Sequence, residues 1–200
     1  TMGPPKLEGP LLELLARGAN RAVLITDRLM AGADTRATAR ALASAAEKLG
    51  PFDAVFCGCK AIDGETGQVP GELAAALGLP CISNAEKVEA AGDELLVTLR
   101  LEGVGQNLTV AGPAVISFSS YSYPLRLAGI LGKRRARKTP VEILTAADLG
   151  LTPEDCGLKG SLTKVVAMES RFPGLRRGPK ETDLDAGVQN LRVLLREVRP

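Results

Sequence analysis

The chain has 200 residues, a net charge of +2, 45% apolar residues and no histidine. This length suits one domain of ordinary size with a substantial core. The lack of histidine excludes Ser-His-Asp and Cys-His catalysis and every histidine metal site. No apolar run is long enough to cross a bilayer. The near-neutral charge and 3% aromatic content give no support for nucleic acid as a partner.

The cysteines and the first residues concern the compartment of the protein. The four cysteines do not form a disulfide framework in a chain of this length and composition; they are Cys57, Cys59, Cys81 and Cys156. Residues 1–5 lack the basic and apolar regions of a secretory signal. Both observations predict a cytoplasmic protein with reduced thiols.

The first part of the chain alternates helical and strand patterns. The predicted elements are a helix over 7–17, a strand over 21–26, a helix over 34–50, a strand over 54–57 and a helix over 71–77. The long second helix is alanine-rich, and Asp34 or Thr35 is a suitable N-cap for it. Strands and helices in this order predict βαβ units and a parallel sheet.

Beyond residue 85 the sequence alternates apolar and polar residues, which predicts antiparallel strands exposed on one face. These strands are expected over 87–89, 94–102 and 106–110, with turns at 92–93 and 103–105. The later predictions are strands over 114–118, 141–144 and 162–168, a helix over 125–137, irregular structure over 145–160, and a final helix with Val188, Leu191, Leu195 and Val198 on one face. The predicted fold class is α/β, a Rossmann-like, mostly parallel sheet flanked by helices, with an antiparallel hairpin extension.

A loop rich in glycine and small polar residues, 58–68, joins the second predicted strand to the helix that follows it. A loop in this position presents backbone N–H groups to a phosphate at a helix N-terminus. Residues 66–68 would then hold a diphosphate or a ribose, and Asp63 and Glu65 would accept hydrogen bonds from ribose hydroxyls. The alternative is an ordinary turn with solvated carboxylates, since glycine loops are common at strand ends.

A second loop, 31–38, also lies between a predicted strand and a helix. Asp34 and Thr35 can be explained as helix caps alone. Thr35 and Thr38, however, lie three residues apart on one helical face, so both hydroxyls can reach one phosphate. Two helix N-termini that converge across adjacent parallel strands form the expected site for a dinucleotide.

Two other features have structural explanations. Cys57 and Cys59 would share one face of an extended strand, and buried thiols explain them better than a metal site. Cys57 could still line an adenine pocket at the strand end. The basic run 133–138 fits a solvated helix end, with a surface for an acidic partner protein as the alternative. On residues alone, the sequence indicates a nucleotide-binding α/β domain.

The segment Ala-Ile-Asp-Gly-Glu-Thr-Gly-Gln at 61–68 resembles the Ala-Ile-Asp-Gly-Asp-Thr-Gly-Gln motif of the electron transfer flavoprotein β-subunit, with Glu65 replacing the second Asp. Residues 1–5, 17–24 and 141–150 are similar to other segments of that family, so the resemblance covers nearly the whole chain. It implies a Rossmann-like domain in a heterodimer with an α-subunit. It also implies an N-terminally incomplete nucleotide-binding domain over 1–150. A C-terminal extension over 151–200 would end in a partner-packing helix.

The resemblance further implies roles for particular residues. The adenosine would be bordered by Met2, Cys57 and Gly58. The ribose and phosphates would be held by Asp63, Gly64, Glu65, Thr66, Gly67 and Gln68, and the diphosphate also by Asp34, Thr35 and Thr38. A partner-docking loop would carry Leu127 as its anchoring leucine.

The resemblance implies FAD as the cofactor, with AMP as the alternative. Some members of the family hold AMP as a structural filler, whereas others bind a second FAD that takes hydride from NADH and divides the electron pair between two acceptors. The segment 27–38 resembles the second, electron-bifurcating group. The implied partners are the α-subunit and a flavin dehydrogenase, with NADH and ferredoxin in the bifurcating case. A regulatory adenine-nucleotide-binding module without a redox role is the alternative from another class.

Overall fold

The computed structural model describes residues 1–62, 64–101, 103–120, 122–167 and 182–197. The chain divides into two units, Thr1–Lys164 and Val165–Pro200. In the first unit, Cys156 is buried in a core cluster and Asp155 pairs with Arg40 at 2.7 Å. The first unit thus includes residues 151–164. The division into a nucleotide-binding domain over 1–150 and a C-terminal extension over 151–200 stays a prediction.

Strands and helices alternate through the first part of this unit. The strands are β1 (Val23–Ile25), β2 (Ala54–Gly58), β3 (Cys81–Ala91), β4 (Glu94–Leu101), β5 (Val104–Ala111), β6 (Ala114–Phe118) and β7 (Glu142–Leu144). The helices are α1 (Glu8–Arg17), α2 (Thr35–Leu49), α3 (Val69–Leu77), α4 (Ile130–Ala136) and α5 (Gly157–Gly160), with α6 (Leu184–Glu197) in the second unit.

The described strands form two sheets. The larger has the order β2-β6-β3-β4-β5, in which β6 pairs in parallel with both β2 and β3, while β3, β4 and β5 pair antiparallel. The smaller sheet is the parallel pair β1 and β7. Parallel strands flanked by helices, with an antiparallel extension, confirm the predicted fold class.

The alanines of α2 explain how this helix contacts both sheets. Ala41 and Ala45 are buried in a cluster with Ile25 of β1. Ala39 and Ala43, two positions away and so on the other side of the helix, are buried in a cluster with Val115 of β6. Small side chains on both faces allow close packing on both sides of α2.

Three secondary-structure predictions were wrong, and one of them is the irregular structure expected over 145–160, which contains the helix α5. The helix predicted over 125–137 begins only at Ile130, because Gly129 precedes it in an extended conformation as the N-cap. The strand predicted over 162–168 does not form over 162–167. The N–H groups of Leu162 and Thr163 donate instead to the carboxylate of Asp34, so they are not available for a sheet. Met168 lies outside the described residues, as does Val198 of the predicted C-terminal helical face.

In the second unit, α6 carries apolar side chains that are more than two-fifths exposed, among them Val188, Leu191 and Leu195. The role of α6 in partner packing stays a prediction. Among the described residues, no helix has both the length and the apolar character needed to span a membrane.

The crossing of α1 and α4 depends on a glycine. A Cβ atom on Gly132 would lie 2.1 Å from the carbonyl oxygen of Ala16 in α1, which is backbone and cannot rotate away. We expect Gly132→Ala to lower the free energy of unfolding by about 1–3 kcal/mol, measured by urea denaturation. Gly9→Ala in α1 is the matched control, because its Cβ would meet no atom within 4 Å. Equal stability of the two variants would contradict the tight crossing.

Candidate functional site

The loops that follow β1 and β2 approach each other through their helices. The expectation that these loops sit across adjacent parallel strands was wrong, because β1 and β2 belong to different sheets of the described chain. The helices α2 and α3 pack together instead, with Ala39 and Ala43 against Leu73 and Ala74. The candidate site is therefore positioned by a helix pair.

Thr35 and Gln68 join the two predicted segments. Thr35 is the first residue of α2, and Gln68 immediately precedes α3. The Thr35 hydroxyl oxygen lies 3.2 Å from Oε1 of Gln68 and 3.1 Å from Oε1 of Glu72. Thr35 is half-buried and Gln68 is exposed, so the pair faces solvent at the start of both helices. Thr38 lies about one turn further along α2 and is half-buried.

Asp34 is the N-cap of α2. Its Oδ1 accepts the N–H of Ala37 at 3.0 Å, as a helix cap does. Its Oδ2 accepts the N–H groups of Leu162 and Thr163, at 2.8 and 3.0 Å, and the Thr163 hydroxyl at 3.1 Å. The N–H of Asp34 donates to the Ser161 hydroxyl. Asp34 thus starts the helix and fastens residues 161–163 beside it.

These hydrogen bonds affect the ionisation of Asp34. Partial burial alone would raise the pKa of this carboxyl group, but the hydrogen bonds from Ala37, Thr163 and Leu162 together hold it below its ordinary value. Asp34 is therefore a carboxylate at neutral pH.

The loop over 58–68 has an unusual backbone. Glu65 has φ of 50° and Gly67 has φ of 65°, both in the left-handed region that non-glycine residues seldom adopt. The Glu65 carboxylate pairs with Lys60 at 3.2 Å, which partly offsets its charge. A Cβ on Gly58 or Gly64 would meet nothing within 4 Å. The loop is thus open, with Thr66 exposed; Asp63 lies outside the described residues.

Met2 and Cys57 pack against different parts of the core. Met2 bridges to Ile25 and lies against the cluster around it. Cys57, near the end of β2, packs against the cluster that contains Leu73 of α3. Burial, with a smaller contribution from Cys81, raises the pKa of the Cys57 thiol. Cys57 is therefore a protonated core thiol near the glycine-rich loop.

Leu127 lies away from these residues, on the loop before α4, and is 87% exposed. It lines a groove of about 560 Å³ with Leu12, Arg17, Lys133 and Arg137 among others. The Arg17 guanidinium donates to the carbonyl of Arg126 at 2.9 Å, which ties this loop to the end of α1. Leu127 is thus an exposed leucine beside a groove whose lining includes apolar residues, the three cations and Glu13, which pairs with Arg17 at 3.3 Å.

Glu72 was not predicted from the sequence. It lies in the first turn of α3, and its carboxylate contacts Thr35 of the other helix. Its position four residues after Gln68 was a usable signal, because residues four apart share one helical face. However, the contact between Glu72 and Thr35 depends on the packing of α3 on α2, which the sequence does not reveal.

Two helix N-termini that meet beside an open glycine-rich loop, on an α/β scaffold, are typical of domains that bind nucleotides. A family model described as the electron transfer flavoprotein domain matches residues 1–149. The chain belongs to the electron transfer flavoprotein family.

Its relatives include β-subunits of that family. The electron transfer flavoprotein subunit beta of Thermoanaerobacterium thermosaccharolyticum is 42% identical, over 96% of this chain and 74% of the relative. The caffeyl-CoA reductase-Etf complex subunit CarD of Acetobacterium woodii is 35% identical, over 82% of this chain and 63% of the relative. The acryloyl-CoA reductase electron transfer subunit gamma of Anaerotignum propionicum is also 35% identical, over 82% and 64%. The chain thus spans only part of the length of these relatives.

The cap formed by Asp34 leads to a pH-dependent prediction. We expect Asp34→Ala to lower the free energy of unfolding by about 1 kcal/mol at pH 7, measured by urea denaturation. A carboxyl with a lowered pKa stabilises the fold above its unfolded-state pKa of about 3.9, and this contribution is lost as the pH falls through the folded-state pKa. The difference between wild type and variant should therefore shrink below about pH 4.

Asp53→Ala is the control for this experiment, because Asp53 is an exposed carboxylate outside the cap. It should change the unfolding free energy by less than about 0.5 kcal/mol. A difference between wild type and Asp34→Ala that stays constant from pH 7 to pH 3 would contradict the proposed role of the Asp34 charge.

Proposed function

We propose that the chain acts as an electron transfer flavoprotein β-subunit that holds FAD between the loops over 31–38 and 58–68. In the intact complex it would carry electrons between NADH or a dehydrogenase and acceptors such as ferredoxin or an acyl-CoA dehydrogenase. The observation that supports this proposal most directly is the contact of Thr35 with Gln68 at 3.2 Å. Residues that were selected from two separate motifs meet at the start of two helices.

The residues at this place suit a nucleotide diphosphate. The first turns of α2 and α3 supply N–H groups and the positive ends of two helix dipoles, which offset phosphate charge. The Gln68 amide, in contact with the Thr35 hydroxyl, adds a polar group at the same place, and a Cβ on Gly64 in the loop before α3 would meet nothing within 4 Å. The flavin would supply the redox chemistry, and this chain would supply binding and orientation.

The names of two relatives favour a redox role over a regulatory one. The Acetobacterium protein is named as part of a caffeyl-CoA reductase-Etf complex, and the Anaerotignum protein as an electron transfer subunit of acryloyl-CoA reductase. The likeness of residues 27–38 to the electron-bifurcating group favours FAD over AMP. The alternatives are AMP as a structural ligand and a regulatory adenine-nucleotide module.

Two surfaces are available to the partners. The exposed Leu127, next to a groove edged by Lys133 and Arg137, is suited to insertion into an apolar pocket of a flavin dehydrogenase with acidic surroundings. The exposed apolar residues of α6 would pack on the α-subunit. The cysteine pattern of the sequence supports a cytoplasmic location.

Counting the bound nucleotides tests the proposal. The intact complex with its α-subunit is purified, its absorbance spectrum is recorded, and the released nucleotides are identified and counted. Two FAD per heterodimer is the expected result. One FAD and one AMP would contradict the second flavin, and a nucleotide without any flavin would favour the regulatory module.

Charge at the glycine-rich loop gives a sharper test. We expect Gly67→Asp to lower the nucleotide content of the complex at the β site, because it adds a negative charge at the N-terminus of α3, and Thr35→Asp to do the same at α2. Gly67→Asn is the matched control, since Asn tolerates the left-handed backbone of Gly67, has nearly the shape of Asp and carries no charge. If Gly67→Asp and Gly67→Asn retain equal nucleotide, the phosphate is not held there.

A further inference from the structure

Glu72 takes part in a three-residue hydrogen-bond network between α2 and α3. The Thr35 hydroxyl lies 3.1 Å from Oε1 of Glu72 and 3.2 Å from Oε1 of Gln68. A hydroxyl has a single proton, so it donates to one of these two acceptors at a time. The contact with the other acceptor therefore needs a different donor.

The charged acceptor takes the proton. Hydrogen bonds to an ionised carboxylate are roughly twice as strong as those to a neutral amide, so Thr35 donates to Glu72. The oxygen and nitrogen of a glutamine amide are assigned from their surroundings and can be exchanged by rotating the amide. In the rotated amide, Nε2 of Gln68 donates to the hydroxyl oxygen of Thr35. The direction of the network then runs from Gln68 through Thr35 to Glu72.

The surroundings of the other carboxylate oxygen of Glu72 show how strongly the carboxylate depends on Thr35. Oε2 is buried and has no hydrogen-bond partner among the described residues. Thr35 is therefore the side-chain donor that holds the Glu72 carboxylate within the described part of the chain. A carboxylate held in this way keeps the Thr35 proton turned away from Gln68.

We infer that Glu72 is a positioning residue of the nucleotide site: through Thr35 it turns the Gln68 amide so that the second N–H of Nε2 faces the ligand. This inference rests on the proposed function. A donor in that place suits the phosphate or hydroxyl oxygens of a nucleotide, while Glu72 itself makes no ligand contact. Glu72 is thereby distinguished from the residues that would touch the nucleotide.

The test measures nucleotide affinity in the complex with the α-subunit. The complex is stripped of nucleotide and titrated calorimetrically with FAD and, separately, with AMP, and the α-subunit alone is the reference for its own site. We expect Glu72→Ala to weaken binding at the β site about tenfold, as the loss of a charge-assisted hydrogen bond does. Glu72→Gln should lose affinity, but less than Glu72→Ala, because its carbonyl oxygen can still accept the Thr35 proton while its neutral amide no longer outcompetes Gln68 for it.

A double variant separates positioning from general structural damage. If Glu72 acts through Gln68, then Glu72→Ala combined with Gln68→Ala binds no more weakly than Gln68→Ala alone. Glu47→Ala is the matched control, since Glu47 lines the same groove between α2 and α3 as Glu72 and should leave affinity unchanged. If Glu72→Ala does not fold, Glu72→Met replaces it, because Met fills a similar volume without an acceptor.

The inference is overturned if Glu72→Ala binds like wild type, if Glu72→Gln loses as much affinity as Glu72→Ala, or if the losses of Glu72→Ala and Gln68→Ala multiply. Failure of the proposed function gives a different result. In that case the wild-type complex binds neither FAD nor AMP at the β site, and the inference falls with it.

Discussion

The close packing of α2 on both of its sides is the constraint on which the rest of the first unit depends. The helix lies between the cluster around Ile25, which belongs to the β1 sheet, and the cluster around Val115, which belongs to the larger sheet. In the described part of the chain β1 and β2 belong to different sheets, and α2 packs against a cluster of each. A larger side chain at Ala39 or Ala41 would separate a helix from one of the two cores, since interiors at crystal-like density cannot absorb the added volume.

The same packing fixes the site. The N-terminus of α2 is capped by Asp34, which also fastens residues 161–163, so its first turn is held from two directions. Packing of α3 on α2 then brings Gln68 and Glu72 to Thr35. Two helix dipoles that favour an anion thus meet beside carboxylates that oppose one. Lys60 offsets Glu65, and Thr35 occupies one oxygen of Glu72, so polar partners moderate this conflict.

The candidate nucleotide site and the groove at Leu127 are separate parts of the described chain. Histidine is absent from the sequence, and the Cys57 thiol is held protonated by burial. The groove at Leu127 is built from α1, α4 and the loop before α4. It does not include Thr35 or Gln68, which meet at the start of α2 and α3. Under the proposed function, a cofactor site separate from the docking surface would suit a subunit whose redox chemistry belongs to a bound flavin and whose electrons pass to other proteins.

The sequence by itself determined the local elements and the family, because hydrophobic periodicity, glycine stops and the motif at 61–68 act within short windows. The α/β class was predictable in this way. Tertiary structure alone decided three points: β1 and β2 lie in separate sheets, residues 162–163 bond to Asp34 rather than to a strand, and Glu72 joins the site. Each depends on contacts between residues far apart in the chain, which propensity and spacing do not encode.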